Sequence, residues 1–171
     1  MAMQFNKRTA LRVAALFAIL FLIGFTMRIP AIWLSGFYGM HGVLSAPFFG
    51  ALAMWHYRHG GAGWQLVAAT LLLAALLGMM SPVMGVAFAA MAAIAGVVRA
   101  VVGGRGHGDL VSAAVFGAVS YPCTLAAGIA LGSYFPTSSS VLTIVVMTVL
   151  GVALSVLGAL LVPSKNGTMG T

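Results

Sequence analysis

The sequence predicts an all-α integral membrane protein that folds as one compact bundle of six transmembrane helices. Hydrophobic residues make up 62% of the 171-residue chain and charged residues 5%, whereas a water-soluble domain keeps about a quarter of its residues charged. Six apolar stretches are also long enough to cross ~30 Å of hydrocarbon at ~1.5 Å of helix rise per residue. A chain with so little charge cannot cover its surface for water, so we expect lipid to be its solvent.

The predicted helices are separated by short segments rich in residues that end helices. These breaks contain Pro30, Gly60-Gly61, Ser81-Pro82, Gly103-Gly104, and Pro136 with Ser138 to Ser140. They place the helices at 10–27, 37–56, 62–80, 83–102, 110–132 and 139–162. Residues 1–165 are therefore predicted to form a single membrane domain, followed by a polar tail at 166–171. The segment 28–36 is too apolar for water and too short to span, so we expect it to lie in the interface or to fold back over the helix ends.

The distribution of Lys and Arg predicts that both termini lie in the cytoplasm. With the N-terminus inside, the inside segments carry Lys7, Arg8, Arg12, Arg58, Arg99, Arg105 and Lys165. Arg28 is the one basic residue on an outside segment, which is the asymmetry that the positive-inside rule describes for short loops. The formal charge of +7 is then explained by attraction to an anionic inner leaflet. We expect no nucleic-acid partner, because no basic cluster is interleaved with exposed aromatic residues.

The near absence of carboxylates argues against several classes of membrane protein. Asp109 is the single acidic residue of the chain, and it is predicted to be the N-cap of the fifth helix. Ion-coupled transporters, aspartyl proteases and metal-dependent transferases need carboxylates within the membrane. The sequence also has no Gly-x-x-x-x-Gly-Lys-Ser/Thr motif, which is the usual phosphate loop of an ATPase. We therefore predict that the chain is not an enzyme and that a partner supplies the energy for any uphill transport.

A candidate ligand site is predicted at the outer end of the bundle, where aromatic, methionine and polar side chains concentrate. The predicted ligand-binding residues are Arg28, Trp33, Tyr38, His41, Tyr121 and Tyr134, with Met79, Met80 and Met84 beside them. Apolar walls with a few polar groups are typical of small-molecule pockets. Arg28 indicates an anionic group on the ligand, and the aromatic residues indicate a planar one. The alternatives are an aromatic belt at the headgroup level, an Arg28 that extends to lipid phosphate, and a fully packed kink at Tyr121-Pro122.

The first helix carries a face of small residues. Ala10, Ala14 and Ala18 recur four residues apart, a spacing that lets another helix approach closely in lipid. We predict that a partner docks on this face, and packing inside the bundle is the alternative.

No metal or haem site is predicted. His56 and His59 are three residues apart and can share a metal ion from one helix face, but Arg58 and Gly60 beside them favour a wet turn. His41 and His56 are separated by 15 residues, about 22 Å along a helix, which is too far apart for both to hold one haem.

The sequence resembles the substrate-binding S components of energy-coupling factor (ECF) importers, most closely the Trep_Strep branch, also called MptS-like. The resemblance is architectural over the whole chain and patterned from Asn6 to about Gly63. The shared features are a basic N-terminus, a first helix that carries the alanine face, and Ile29-Pro30. They also include a proline inside the second helix and the short basic turn Trp55-His56-Tyr57-Arg58-His59-Gly60 at its end.

The resemblance implies a subunit of the prokaryotic cytoplasmic (plasma) membrane that captures a vitamin or cofactor precursor from outside for an ATP-driven importer. The Ala14 and Ala18 face would dock on a membrane T component, and residues 28–41 would gate a pocket that opens outward among helices four to six. Two cytoplasmic ATPases would bind the ATP and Mg²⁺, so this chain is expected to hold no cofactor. Two other classes of function stay open. One is a small membrane enzyme or cytochrome-like subunit that uses His and Tyr. The other is a ligand-free membrane assembly or interaction protein.

Overall fold

The computed structural model describes residues 7–33, 37–104, 106–137 and 140–163, and within these ranges the chain is helical without strands. The helices in chain order are α1 (Lys7–Trp33), α2 (Met40–Arg58), α3 (Gly63–Met80), α4 (Pro82–Val102), α5 (His107–Ala118), α6 (Ser120–Ala130) and α7 (Ser140–Leu161). Gly60, Gly103 and Gly132 lie in the turns with φ values of 72°, 74° and 65°, a conformation in which a residue with a Cβ is strained. The predicted all-α class is therefore confirmed for the described residues.

Several helices are long and apolar enough to cross a membrane. By length and composition α1, α3, α4 and α7 each qualify, and the bent pair α5 and α6 adds a fifth span if it is counted as one. α2 does not qualify alone, because His41 near its start and His56 and Arg58 near its end are polar. It is instead enclosed by α1, α5, α6 and α7. The chain thus has the composition of a helical membrane protein, while six spans stay a prediction.

Three arginines join helix ends at one end of the bundle through hydrogen bonds and an ion pair. Arg58, at the end of α2, donates a hydrogen bond to the carbonyl of Val162, just beyond α7. Arg12, in α1, donates to carbonyls of the turn that follows α2. Arg99, near the end of α4, pairs with Asp109 at an N–O distance of 2.6 Å. We call this the basic end of the bundle.

Arg28 lies at the opposite end of α1 from Arg12, so the described cations divide between the two ends as the sequence predicts. We call this opposite end, with the turn between α3 and α4, the cavity end. The side of the membrane that each end faces stays a prediction. Arg105 and Lys165, which belong to the same argument, lie outside the described residues.

Asp109 does not cap the fifth helix, so that prediction is wrong. α5 begins at His107 and Gly106 occupies its N-cap position. Asp109 lies inside the first turn, where a negative charge interacts favourably with the helix dipole. Its carboxylate accepts a hydrogen bond from Nη1 of Arg99 at 2.6 Å, and the same guanidinium lies 4.1 Å from the centre of the Tyr57 ring.

The first helix is longer than predicted. α1 continues through Pro30 to Trp33, so the prediction that 28–36 folds back over the helix ends is wrong as far as Trp33, while its location in the interface stays a prediction. Residues 34–36 lie outside the described residues. Pro30 has no N–H and leaves a carbonyl of the preceding turn without its helical partner, a break that helices within a membrane tolerate where other groups satisfy that carbonyl.

The predicted fifth helix is broken in two. α5 and α6 meet at Val119 with a bend of 40°. Pro122 has no N–H and frees a carbonyl in the preceding turn. Beside the break, Oγ of Ser120 lies 2.6 Å from the carbonyl oxygen of Gly42 in α2 and 2.7 Å from that of Gly117. The predicted kink at Tyr121-Pro122 therefore exists and is closed by contacts with α2.

Small residues let α2, α5 and α7 approach closely. A Cβ on Gly50 would lie 2.5 Å from the backbone oxygen of Ser155, and one on Gly158 would collide with the backbone of Pro47. Oγ of Ser155 donates to the carbonyl of Ala114 at 2.6 Å. Such close packing is the main attraction between helices in lipid, and it fastens α2 to α7.

Candidate ligand site

A cavity of about 290 Å³ opens between α1, α3 and α4 at the cavity end, and not among the fourth to sixth predicted helices, where the resemblance places a pocket. Its walls are apolar apart from Arg28 and Ser81, and they are formed by Leu20, Phe21, Gly24, Phe25, Arg28, Leu73, Leu77, Met80, Ser81, Met84 and Phe88. A volume of this size is at the lower limit of small-molecule sites, which run from about 300 to 1,000 Å³. The cavity therefore fits a small, mostly apolar molecule that carries an anionic or polar group.

Helix geometry explains why the cavity exists. Gly24 and Arg28 are one turn apart on α1 and face the same space. A Cβ on Gly24 would meet no atom within 4 Å, so the missing side chain adds directly to the open volume. On the other wall, Gly78 and Gly85 bring α3 and α4 close together, since a Cβ on Gly85 would lie 2.6 Å from Cα of Gly78. This approach sets Ser81 and Met84 at the mouth.

A smaller chamber adjoins the cavity. Its volume is about 10 Å³, and it shares Gly24, Met84 and Phe88 with the cavity. The remaining lining residues are His41, Gly42, Ser45, Phe49, Met91, Ser120 and Thr124. Nε2 of His41 is buried without a hydrogen-bond partner among the described residues, which is a costly state for a polar atom. Arg28 is also near enough for its charge to act on the His41 ring.

The predicted site residues divide into three groups. Arg28 and His41 are brought together at the cavity and the chamber beside it. Trp33 points outward with 87% of its surface exposed, as an interfacial anchor does. The three tyrosines form a separate cluster.

That cluster is tightly packed and does not line the cavity. The rings of Tyr38 and Tyr134 stack with centroids 4.5 Å apart, and Tyr38 lies directly on Gly128. Tyr121 is 3% exposed and packs in a cluster with Val43. Stacked aromatic pairs add stability beyond the area that they bury, so we assign these tyrosines to packing of α2 and the turn before it against α6 and the segment that follows it.

Gly24, Ser81 and Phe88 are lining residues that the sequence analysis did not name. For Gly24 a signal exists in the sequence, because it lies four residues before Arg28 and therefore on the same face of the helix. For Phe88 there is none, since an apolar residue in an apolar helix carries no directional information.

The predicted docking residues lie on the outside of the bundle. Ala10, Ala14 and Ala18 are all exposed, and Ala10 and Ala14 line an open groove with Phe17 and Leu72. Among the described residues no helix of the bundle covers this face.

The histidines at the basic end contact backbone oxygens. Nε2 of His56 lies 3.1 Å from the carbonyl oxygen of Ala62, and Nδ1 of His59 lies 2.9 Å from that of Trp55. No group of three His, Cys, Asp or Glu that could hold a metal occurs in the described part of the chain.

No protein-family model, no curated protein and no solved structure matches this chain. The class that the fold defines is therefore the general one, a helical protein with several helices that fit a membrane.

Proposed function

We propose that the protein is the substrate-capture subunit of an ATP-driven micronutrient importer, similar to the S components of ECF transporters. In this proposal all six helical passes cross the prokaryotic cytoplasmic membrane, with the basic end in the cytoplasm and the cavity end outside. The observation that carries the proposal is the cavity of about 290 Å³ with Arg28 at its wall. A site of this kind at one end of a bundle suits capture of a solute from the adjoining water.

The cavity supports a small anionic ligand with an apolar body. Arg28 offers a planar fork of donors that matches a carboxylate or phosphate. Phe21, Phe25 and Phe88 line the same space and can contact a planar group. Nε2 of His41, buried beside the cavity, offers a second polar contact for the ligand.

Energy would come from partners, because the chain has one carboxylate and no phosphate loop. We propose a membrane T component docked on the face of Ala10, Ala14 and Ala18, with two cytoplasmic ATPases bound to it. The exposure of all three alanines supports this, since small residues on an open helix face allow close approach of another helix.

The test is affinity purification of the tagged full chain from its native membrane in mild detergent, with mass spectrometry of proteins and small molecules. The proposal expects one multispanning protein, two ATPases and a small anionic compound. A solitary protein that turns over a substrate or carries a coloured cofactor would indicate a membrane enzyme or cytochrome-like subunit instead. Protein partners without ATPases or bound compound would indicate an assembly protein.

A further inference from the structure

A second cleft lies between α1 and α2 at the basic end of the bundle. Its volume is about 220 Å³, and it is lined by Arg12, Ala15, Leu16, Ile19, Trp55, His56 and His59. Its lining on α1 runs from Arg12 to Ile19 and that of the cavity from Leu20 to Arg28, so the two sites share no lining residue and their arginines lie 16 residues apart on the helix.

Arg12 is held in place at the mouth of this cleft. Nη1 of Arg12 donates to the carbonyl oxygen of Gly60 at 3.3 Å, and Nη2 donates to that of His59 at 3.2 Å. A guanidinium has five N–H donors, so these two bonds fix its plane and leave further donors for an anion. Arg12 is itself exposed.

His59 adds a second nitrogen at the same mouth. Its Nδ1 lies 2.9 Å from the carbonyl oxygen of Trp55, and its ring lies 4.7 Å from the Trp55 ring, centroid to centroid. Because Nδ1–H donates to that carbonyl, Nε2 donates to an anionic ligand in the doubly protonated ring. One side chain from α1 and one from the turn after α2 thus meet at one opening.

The depth of the cleft is apolar. Ala15, Leu16 and Ile19 follow Arg12 along α1 in the direction of the cavity end, and they face the same space as the Trp55 ring. A free inorganic anion would gain nothing from this part of the cleft. A ligand with an anionic head and a hydrocarbon tail would fill both parts.

The charges around the mouth favour an anionic ligand. Lys7 and Arg8 precede Arg12 within five residues, and both are exposed. The one carboxylate of the chain, Asp109, is paired with Arg99 and so offers no compensating negative charge here. Each basic side chain near a membrane surface adds about 1 kcal/mol of attraction to anionic lipids.

We propose that this cleft binds the phosphate head group of an anionic membrane phospholipid, with Arg12 and His59 on the phosphate and Ala15, Leu16 and Ile19 along an acyl chain. The inference goes beyond the proposed function and does not depend on it. A bound lipid there joins α1 to the turn after α2.

The experiment is native mass spectrometry of the full chain released from nanodiscs that contain phosphatidylglycerol, phosphatidylcholine or an equal mixture. We expect retention of phosphatidylglycerol and loss of phosphatidylcholine. Arg12→Gln should weaken retention by about five- to tenfold. Arg8→Gln, which removes the same charge at the residue directly after Lys7 but outside the cleft, should weaken retention clearly less than Arg12→Gln, because it removes only the attraction to the membrane surface and no contact with the phosphate.

Two further measurements distinguish a lipid phosphate from free inorganic phosphate and control for misfolding. Inorganic phosphate at millimolar concentration should not displace the lipid, and displacement would indicate a free-anion site instead. Ile19→Trp fills the apolar part without touching the cations and should also lower retention. Equal losses in Arg8→Gln and Arg12→Gln, equal retention of both lipids, or full retention in Ile19→Trp would each overturn the proposal. If Arg12→Gln melts at a lower temperature without lipid, Ile19→Trp decides the question.

Discussion

Gly24 lies one helical turn before Arg28 on α1, and both residues line the same cavity of about 290 Å³. The glycine leaves space and the arginine supplies charge, so a single turn of helix defines the volume and the polarity of the site. Nε2 of His41 is buried without a partner in the adjoining chamber. The proposed site therefore depends on Gly24 and Arg28 of α1 and on His41 of α2. These residues can be tested separately from those that pack the bundle.

Gly24→Leu should abolish ligand binding without loss of stability. The new side chain has open space, since a Cβ at this position would meet no atom within 4 Å, and leucine favours a helix by up to about 1 kcal/mol over glycine. The measurement is equilibrium binding of tritiated naphthoate, a planar carboxylate, to the protein in nanodiscs.

The control for this variant is Gly151→Leu on α7, where a Cβ also meets no atom within 4 Å. It should bind naphthoate like the wild type. Equal binding by Gly24→Leu and the wild type would show that the probe sits elsewhere.

Arg28→Gln should lower the affinity for naphthoate by about 10- to 100-fold, because a hydrogen bond to a charged group is worth about 1.5–3 kcal/mol. The affinity for naphthalene methanol, the neutral analogue, should not change.

The matched control is Trp33→Ala, which is five residues further along α1 and 87% exposed. It should leave both affinities as they are. A loss for the neutral probe in Arg28→Gln would show that the arginine shapes the cavity instead of binding the anion.

Tyr38 and Tyr134 should matter for stability and not for the ligand. Their stacked rings predict a coupling of about 0.5–1.5 kcal/mol in a double-mutant cycle of Tyr38→Leu and Tyr134→Leu. Unfolding in mixed SDS micelles measures the coupling, and naphthoate binding should be unaffected. A loss of naphthoate binding that does not follow the loss of stability in the two variants would show that the tyrosines belong to the ligand site.

Gly50→Ala should destabilise the contact of α2 with α7. The added methyl would lie 2.5 Å from the backbone oxygen of Ser155, so the helices must separate at a cost of about 1–3 kcal/mol, less the gain in helix propensity. The same unfolding titration checks this, with Gly151→Ala as the control that keeps its space. A variant as stable as the wild type would contradict the close packing of this seam.

The helices were predictable because lipid leaves few alternatives. An apolar stretch must satisfy its own backbone hydrogen bonds, so it becomes a helix wherever glycine, proline and serine do not interrupt it. The end of α1 was not predictable, because Pro30 ends some helices and is tolerated in the last turns of others. The position of Asp109 was also not predictable, because a carboxylate before an apolar run can be either the N-cap or a first-turn residue in an ion pair.

The candidate site was predictable only for its polar residues. Arg28 and His41 stand out in an apolar sequence, and the cost of a polar group in lipid implies a polar neighbour. The tyrosines carried no such information, since a tyrosine suits a pocket, a headgroup belt and a packed core equally well. In the structure the ring of Tyr121 packs on Gly39 and that of Tyr38 on Gly128. These contacts exist only in the folded bundle, so the sequence alone could not show them.

Ala14→Trp should abolish association with the proposed membrane partner while ligand binding persists. The alanine is exposed on α1 and lines an open groove with Phe17 and Leu72, so an indole there blocks another helix without entering the bundle. Co-purification of partner proteins and naphthoate binding are measured on the same preparation. Ala93→Trp on α4, where the alanine is also exposed, is the control and should keep its partners. If Ala14→Trp loses both properties, misfolding explains the result, and if it keeps both, the alanine face is a lipid-facing surface and the partner docks elsewhere.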